Sequence, residues 1–188
     1  MNKIALPASM AAQATESSEA EEQFLRFQLL PDTTALLPVH QTTEVLAVTS
    51  SQVIPIPHMP AYILGIYNWR GEILWMLDLG HLLGLAPKHQ RLSTSLDYPV
   101  LVIHDSRRAR GRKRTSGQAT GEKLLGLVVD QVEDMEWLNP ELIQSPPVSA
   151  VTPELAPFLS GYFVQPNGEF LMALDGDSII ARMTKPEV

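Results

Sequence analysis

The sequence predicts an all-β protein with a few short helices, built as two small β-barrels packed on one another. Three observations carry that expectation. Apolar and polar residues alternate over many short runs broken by turn formers, with fifteen Pro and eleven Gly in 188 residues, the punctuation of strands and turns rather than of long helices. Two stretches echo one another: Gly71-Glu72-Ile73-Leu74-Trp75-Met76-Leu77-Asp78 and Gly168-Glu169-Phe170-Leu171-Met172-Ala173-Leu174-Asp175 share Gly, Glu, Leu, Leu and Asp at the same offsets. A weaker echo upstream relates Gln41, Glu44 and Val45 to Gln131, Asp134 and Met135. The order strand, strand, hairpin, helix therefore occurs twice, as two packed barrels require.

Element by element, residues 1–23 hold four Glu and no central apolar block, so they read as a disordered, solvated acidic tail and not as a secretory signal. Phe24 to Leu30 alternates like a half-buried strand, Pro31-Asp32-Thr33 supplies a turn, and Thr34 to Val39 is a second strand. Gln41 to Val48 fits a helix or a strand, and one helical turn is preferred. Val53 to Pro60 carries Pro55, Pro57 and Pro60 and is an extended connector. Ile63 to Trp69 and Glu72 to Leu79 form a hairpin across Arg70-Gly71, and Gly80 to Gly84 forms a helical turn closed by glycine.

Polar residues Ala86 to Ser95 mark a boundary, giving a first barrel over about 24–86 and a second over about 97–183 within a folded region 24–183. Tyr98 to His104 and Lys123 to Asp130 are strands flanking an insert, 105–121, with no apolar residue larger than Ala. It reads as a mobile loop. Val132 to Leu138 is a short helix or strand, Ser145 to Pro157 a connector, Gly161 to Val164 and Glu169 to Leu174 a last hairpin, and Asp177 to Met183 a terminal helix. Asp78 and Asp175 end their hairpins where a carboxylate caps the next helix, a structural role favoured over a catalytic one.

Fourteen basic residues face twenty-one acidic ones, a net charge of −7 and a pI near 5.2, at a mean hydropathy of +0.01. That sign disfavours nucleic acid or an anionic membrane as the general partner. No apolar run approaches the roughly 18 residues of a spanning helix. Cys is absent, which excludes disulfides, thiol nucleophiles and Cys-ligated metal. The His residues at 40, 58, 81, 89 and 104 show no metal-ligand spacing, and neither a phosphate loop nor G-x-S-x-G occurs. No metal, cofactor or enzymatic activity is expected.

Six of the fourteen basic residues fall in Arg107 to Arg114, leaving eight positive against twenty-one negative charges elsewhere. The cluster either touches phosphate or an acidic partner, the one feature that supports a nucleic-acid-binding barrel, or is a spacer kept open by charge repulsion. The spacer is favoured, since no aromatic is interleaved.

The run Pro60-Ala61-Tyr62-Ile63-Leu64-Gly65-Ile66-Tyr67-Asn68-Trp69-Arg70-Gly71 follows the pattern P-x-[FY]-[IV]-x-G-[ILV]-x-N-x-R-G, with Leu77-Asp78-Leu79 beyond it. With Gly126-Leu127-Val128-Val129-Asp130, Val132 and Leu159-Ser160-Gly161, the chain from Phe24 to Ile180 resembles the CheW-like domains of bacterial chemosensory arrays. The resemblance implies two five-stranded SH3-like barrels sharing an apolar seam, without catalysis or cofactor. It implies a cytoplasmic adaptor that joins the regulatory domain of a CheA-type histidine kinase to the cytoplasmic tip of a chemoreceptor. The tail and insert depart from the shortest family members and favour a relative serving type IV pilus motility.

By the same resemblance the partner-binding residues are Glu44, Val45, Asn68, Arg70, Gly71, Gly126, Leu127 and Val128. Arg70 at a hairpin tip suits a partner's carboxylate; alternatively Arg70 and Asn68 fix the hairpin by local hydrogen bonds. Gly126, Leu127 and Val128 line a helix-binding groove between barrels or are core, and core is favoured. Thr42 and Thr43 stand where more apolar residues are common in the family. Of Tyr67, Trp69 and Trp75, at least one is expected to be exposed as an interface anchor.

Overall fold

A computed structural model describes residues 21–30, 32–90, 97–109, 123–146 and 151–184. Ten strands occur among them: β1 (Glu22–Leu30), β2 (Thr33–Pro38), β3 (Thr42–Thr49), β4 (Ile63–Trp69), β5 (Glu72–Asp78), β6 (Asp97–His104), β7 (Leu124–Val128), β8 (Gln131–Leu138), β9 (Leu159–Val164) and β10 (Phe170–Leu174). Three short helices accompany them: α1 (Leu79–Leu82), α2 (Ser106–Ala109) and α3 (Gly176–Thr184).

The strands form two five-stranded sheets, one in the order β8-β1-β2-β10-β9 and the other β3-β6-β7-β5-β4. Pairing is antiparallel except for β2 with β10 and β5 with β7. The expected split into a barrel over 24–86 and another over 97–183 is therefore incorrect. Each sheet takes an antiparallel pair from one half of the chain (β1 and β2, or β6 and β7) and three strands from the other half. Composition marks where strands begin and end. It carries no information on which strand's hydrogen-bonding edge a given strand meets across the molecule.

Three further expectations change, and one left open between helix and strand, Val132 to Leu138, is resolved. Gln41 to Val48 is not helical beyond a 3-10 turn at Val39–Gln41; it enters β3. The β-branched Thr42, Thr43, Val45, Val48 and Thr49 favour the pleated form, and Glu44, Leu46 and Val48 alternate inward against outward Thr43, Val45 and Ala47. Val132 to Leu138 likewise lies in a strand, β8. The acidic tail ends earlier than residue 23, because Glu22 and Gln23 already pair with Leu138 and Trp137; residues 1–20 lie outside the described residues. The insert opens in α2 rather than a loop, and residues 110–121 lie outside the described residues.

Alternation divides the apolar residues into three layers. Odd positions of β1 (Leu25, Phe27, Leu29) face a seam between the sheets with Leu37, Leu77, Leu101, Leu127, Leu174 and Ile180. Phe24, Leu36, Phe163, Leu171 and Ala173 fill the first sheet, and Val48, Leu74, Met76, Val100, Val102 and Val128 fill the second. Phe27, Leu37, Leu77, Leu101 and Leu127 are fully buried, each contributing on the order of 1.5–3 kcal/mol relative to exposure.

The internal echo is a structural equivalence. Gly65 (φ +144°) and Gly161 (φ +154°) begin matching bends, where Ile54 bridges Ile66 and Gln144 bridges Tyr162. A Cβ at Gly65 would lie 2.2 Å from the Ile54 carbonyl oxygen, and one at Gly161 2.6 Å from that of Gln144, so only glycine admits both connectors. Asp78 accepts from His81 N at 3.2 Å and Lys88 N at 2.6 Å. Asp175 accepts from Asp177 N at 3.0 Å and Ser178 Oγ at 2.6 Å. Both carboxylates satisfy donors at helix starts, as expected of caps.

Candidate docking surface

Strands β3 and β4 are the two edges of the second sheet, and side chains join them. Glu44 on β3 accepts a hydrogen bond from Trp69 Nε1 at 2.5 Å and another from the Arg70 guanidinium. The guanidinium lies 4.9 Å from the Trp69 ring centroid, a cation–π contact that holds the arginine flat against the indole.

Trp69 pairs with Glu72, so Arg70-Gly71 is a two-residue loop with both φ positive, +54° and +85°. Such a loop matches strand twist but favours glycine or asparagine at its first position. Placing arginine there costs about 1–2 kcal/mol. Asn68 Oδ1 accepts from Gly71 N at 3.0 Å and braces the turn. The Arg70 side chain remains 69% exposed while Glu44 is 22% exposed. Val45, on the opposite face of β3, is 46% exposed.

Glu44, Asn68, Arg70 and Gly71 thus meet at one corner, while Val45 points away from it on the other face of β3. Gly126, Leu127 and Val128 do not belong to it. They lie on β7, between β6 and β5, with Leu127 and Val128 at 0% exposure. A Cβ at Gly126 would come within 2.7 Å of the Met76 sulfur. These three are core and stand apart from the docking corner.

The first sheet has a different device at its edges. Arg26 on β1 donates to Glu133 at 2.5 Å, Glu136 at 3.0 Å and Glu169 at 2.7 Å, and Gln165 beyond β9 donates to Glu136 on β8 at 3.0 Å. Burial disfavours the Arg26 charge, but its hydrogen bonds to Glu136, Glu133 and Glu169 outweigh it and raise the pKa. Burial likewise pushes Glu169 up, and the Arg26 hydrogen bond and charge overcome it, leaving the carboxyl below its usual value.

Tyr67, Trp69 and Trp75 are all half-buried; the exposed aromatics are Trp137 at 60% on β8 and Phe170 at 65% on β10. Met135 beside Trp137 is 59% exposed. Glu133 and Glu136, three residues apart, both reach Arg26 because the β1–β8 register shifts between Leu25 and Phe27, a bulge that simple alternation does not reveal.

Of the basic cluster 107–114, Arg107 is described through its side chain. It donates to the Asp177 carbonyl at 2.7 Å and pairs with Asp105 at 3.5 Å. Ser106 anchors the same point through two bonds to the Asp177 carboxylate, 2.8 and 2.6 Å. Among the described residues no three His, Asp or Glu side chains gather as a metal site, and no helix is long and apolar enough to cross a membrane.

Two interlocked five-stranded sheets, with a salt-bridged hairpin projecting from the edge of one, define a double-barrel β domain. The CheW-like domain matches residues 23–183, and the chain belongs to that family. It is 31% identical over 110 residues to a probable chemotaxis protein CheW of Rhizobium etli, a match covering 58% of this chain and 55% of that protein; the chain spans about half the length of that relative. The crystal structure of the scaffolding protein TtCheW from Thermoanaerobacter tengcongensis superposes with a TM-score of 0.60 at 22% identity, covering 82% of this chain and 89% of that one. That likeness establishes a shared fold.

Proposed function

We infer that this chain is a non-catalytic adaptor of a chemosensory array in the cytoplasm, coupling the regulatory domain of a CheA-type histidine kinase to the cytoplasmic tip of a chemoreceptor. The observation that carries this reading is the Glu44–Trp69–Arg70 corner, set on an exposed edge of a CheW-like double barrel. Arginine occupies a turn position that costs energy, and strained positions of this kind concentrate where a surface is used. Its guanidinium is preordered by Glu44 and Trp69, so little side-chain freedom is lost when a partner's carboxylate docks. Asn68 and Gly71 hold the turn, and Val45 offers a separate apolar contact on the other face of β3. The tail and insert, additions to the domain, favour a system of the pilus-motility kind.

The test is capture by the kinase regulatory domain and by a receptor cytoplasmic fragment, comparing wild type with Arg70→Glu. Wild type is retained by both, and reversal of the charge weakens retention by at least about tenfold, as expected for a central arginine. Failure of wild type to bind either partner would overturn the adaptor role.

A further inference from the structure

Among the described strands the chain passes from one sheet to the other twice, at residues 39–41 between β2 and β3 and at Val129-Asp130 between β7 and β8. A buried polar side chain clasps each passage. At the first, Gln41 Oε1 accepts from Gly176 N at 2.8 Å and Nε2 donates to Asp175 Oδ1 at 3.5 Å, which ties the passage to the start of α3. At the second, Lys88 Nζ donates to the Val129 carbonyl and to Asp130 Oδ1, both at 2.9 Å. The Lys88 backbone N–H donates in turn to Asp78 Oδ2 at 2.6 Å. Each passage is thus joined to an aspartate that caps the helix after one of the two related hairpins.

The second clasp stands where both barrels meet. Val129 N donates to Pro99 O, on β6, at 3.0 Å, and Asp130 N donates to Gln28 O, on β1, at 2.9 Å. One residue is therefore bonded to the second sheet and the next to the first. Lys88 holds both of them and, through Asp78, the end of β5. Its side chain is 7% exposed, and the ammonium lies 5.8 Å from the Tyr98 ring centroid.

Burying an ammonium there is a poor route to stability, because stripping its water offsets its attraction to the carboxylate and apolar side chains of like volume do as well. What the lysine adds is direction. The seam between the sheets is largely Leu, Ile, Phe and Val, whose attraction is non-directional, and such layers lose a unique arrangement before they lose stability. Hydrogen bonds to a carbonyl and a carboxylate admit a narrow range of angles.

We propose that Lys88 is a positioning residue that sets the angle between the two barrels, with Gln41 as its counterpart at the first passage. The docking corner lies on the second barrel alone, so any surface of the first barrel that faces a partner at the same time is aimed by these clasps. The angle is a property of the isolated chain and is tested without a partner.

The chain has no cysteine, so spin labels on introduced cysteines read the angle directly. Ala47→Cys on β3 with Asp134→Cys on β8, both exposed, spans the two barrels, and Ala47→Cys with Glu72→Cys lies within one. Lys88→Met widens the distance distribution of the spanning pair about twofold, as a second orientation becomes populated, and leaves the single-barrel pair unchanged. The melting temperature moves by no more than about 4 °C. Gln41→Leu widens the same distribution at the first passage and serves as the test where Lys88→Met does not fold. Leu127→Ala, which truncates the seam, lowers the melting temperature and leaves the spanning distribution narrow. A Lys88→Met protein that melts earlier with an unchanged spanning distribution would overturn the proposal and leave the lysine a purely stabilising residue. Equal widening of both labelled pairs would also overturn it, as would equal widening by Leu127→Ala, since the seam itself would then set the angle.

Discussion

Glu44 and Arg70 are twenty-six residues apart and join the two free edges of one sheet, the carboxylate serving the guanidinium and the Trp69 indole at once. The pair is asymmetric in burial, 22% against 69% exposed, and its members should therefore differ when removed.

Glu44→Ala leaves the half-buried indole N–H without its acceptor and should destabilise by about 1–3 kcal/mol, the cost of an unsatisfied group. Arg70→Ala should cost under about 1 kcal/mol, in the range of exposed ion pairs. Urea unfolding of the two variants checks the order, and Arg70→Gly, which relieves the positive φ, should be more stable than Arg70→Ala.

Glycine substitutions should separate by surroundings. Gly65→Ala and Gly161→Ala drive a Cβ into a backbone carbonyl and should lower the melting temperature far more than Gly71→Ala or Gly168→Ala, where nothing lies within 4 Å and only the backbone term of about 1–2 kcal/mol applies.

Acid should weaken the first sheet. Glu169 is held below its ordinary value of 4.5, so its contribution is present above the unfolded pKa and is lost as pH falls through the folded one. Arg26→Met removes the hydrogen bond and charge that hold the Glu169 carboxyl below its ordinary value and leaves three neighbouring carboxylates to repel one another. That variant should be destabilised at pH 7 and gain relative to wild type on acidification toward pH 4, as read by thermal melts across the series.

Asp78→Ala removes the acceptor for His81 N and Lys88 N from a site 1% exposed. A loss of about 1–3 kcal/mol is expected, visible as a lower urea midpoint with unchanged slope, whereas Asp78→Asn, which keeps an acceptor oxygen, should recover part of it.

Much of the fold was legible because strands announce themselves locally. Ile63 to Trp69, the Arg70-Gly71 turn and both capping aspartates follow from alternation and turn chemistry within a few residues. The exchange of strands between halves was not legible, since β2 meets β10 and β5 meets β7 by edges far apart in sequence. At the site, Asn68, Arg70 and Gly71 sit in one short motif and were found together. The partnership of Glu44 with Trp69 depends on sheet curvature, which brings β3 to β4. Gly126 to Val128 read as groove or core, and the central position of β7 places them in the core. The exposure of Trp137 is not legible, because a strand at a sheet edge can turn large apolar side chains outward.

The interleaving of the halves bears on how the polypeptide acquires its shape during synthesis. When the first seventy-eight residues have emerged, β1 and β2 lack the strands on either side of them, and β3 has no neighbour to separate it from the β4–β5 hairpin. One sheet can close only after Val128 is made and the other only after Leu174. Translation therefore exposes unsatisfied edges until β10 is made, and a nascent chain of this design depends on prompt closure or on chaperone shelter.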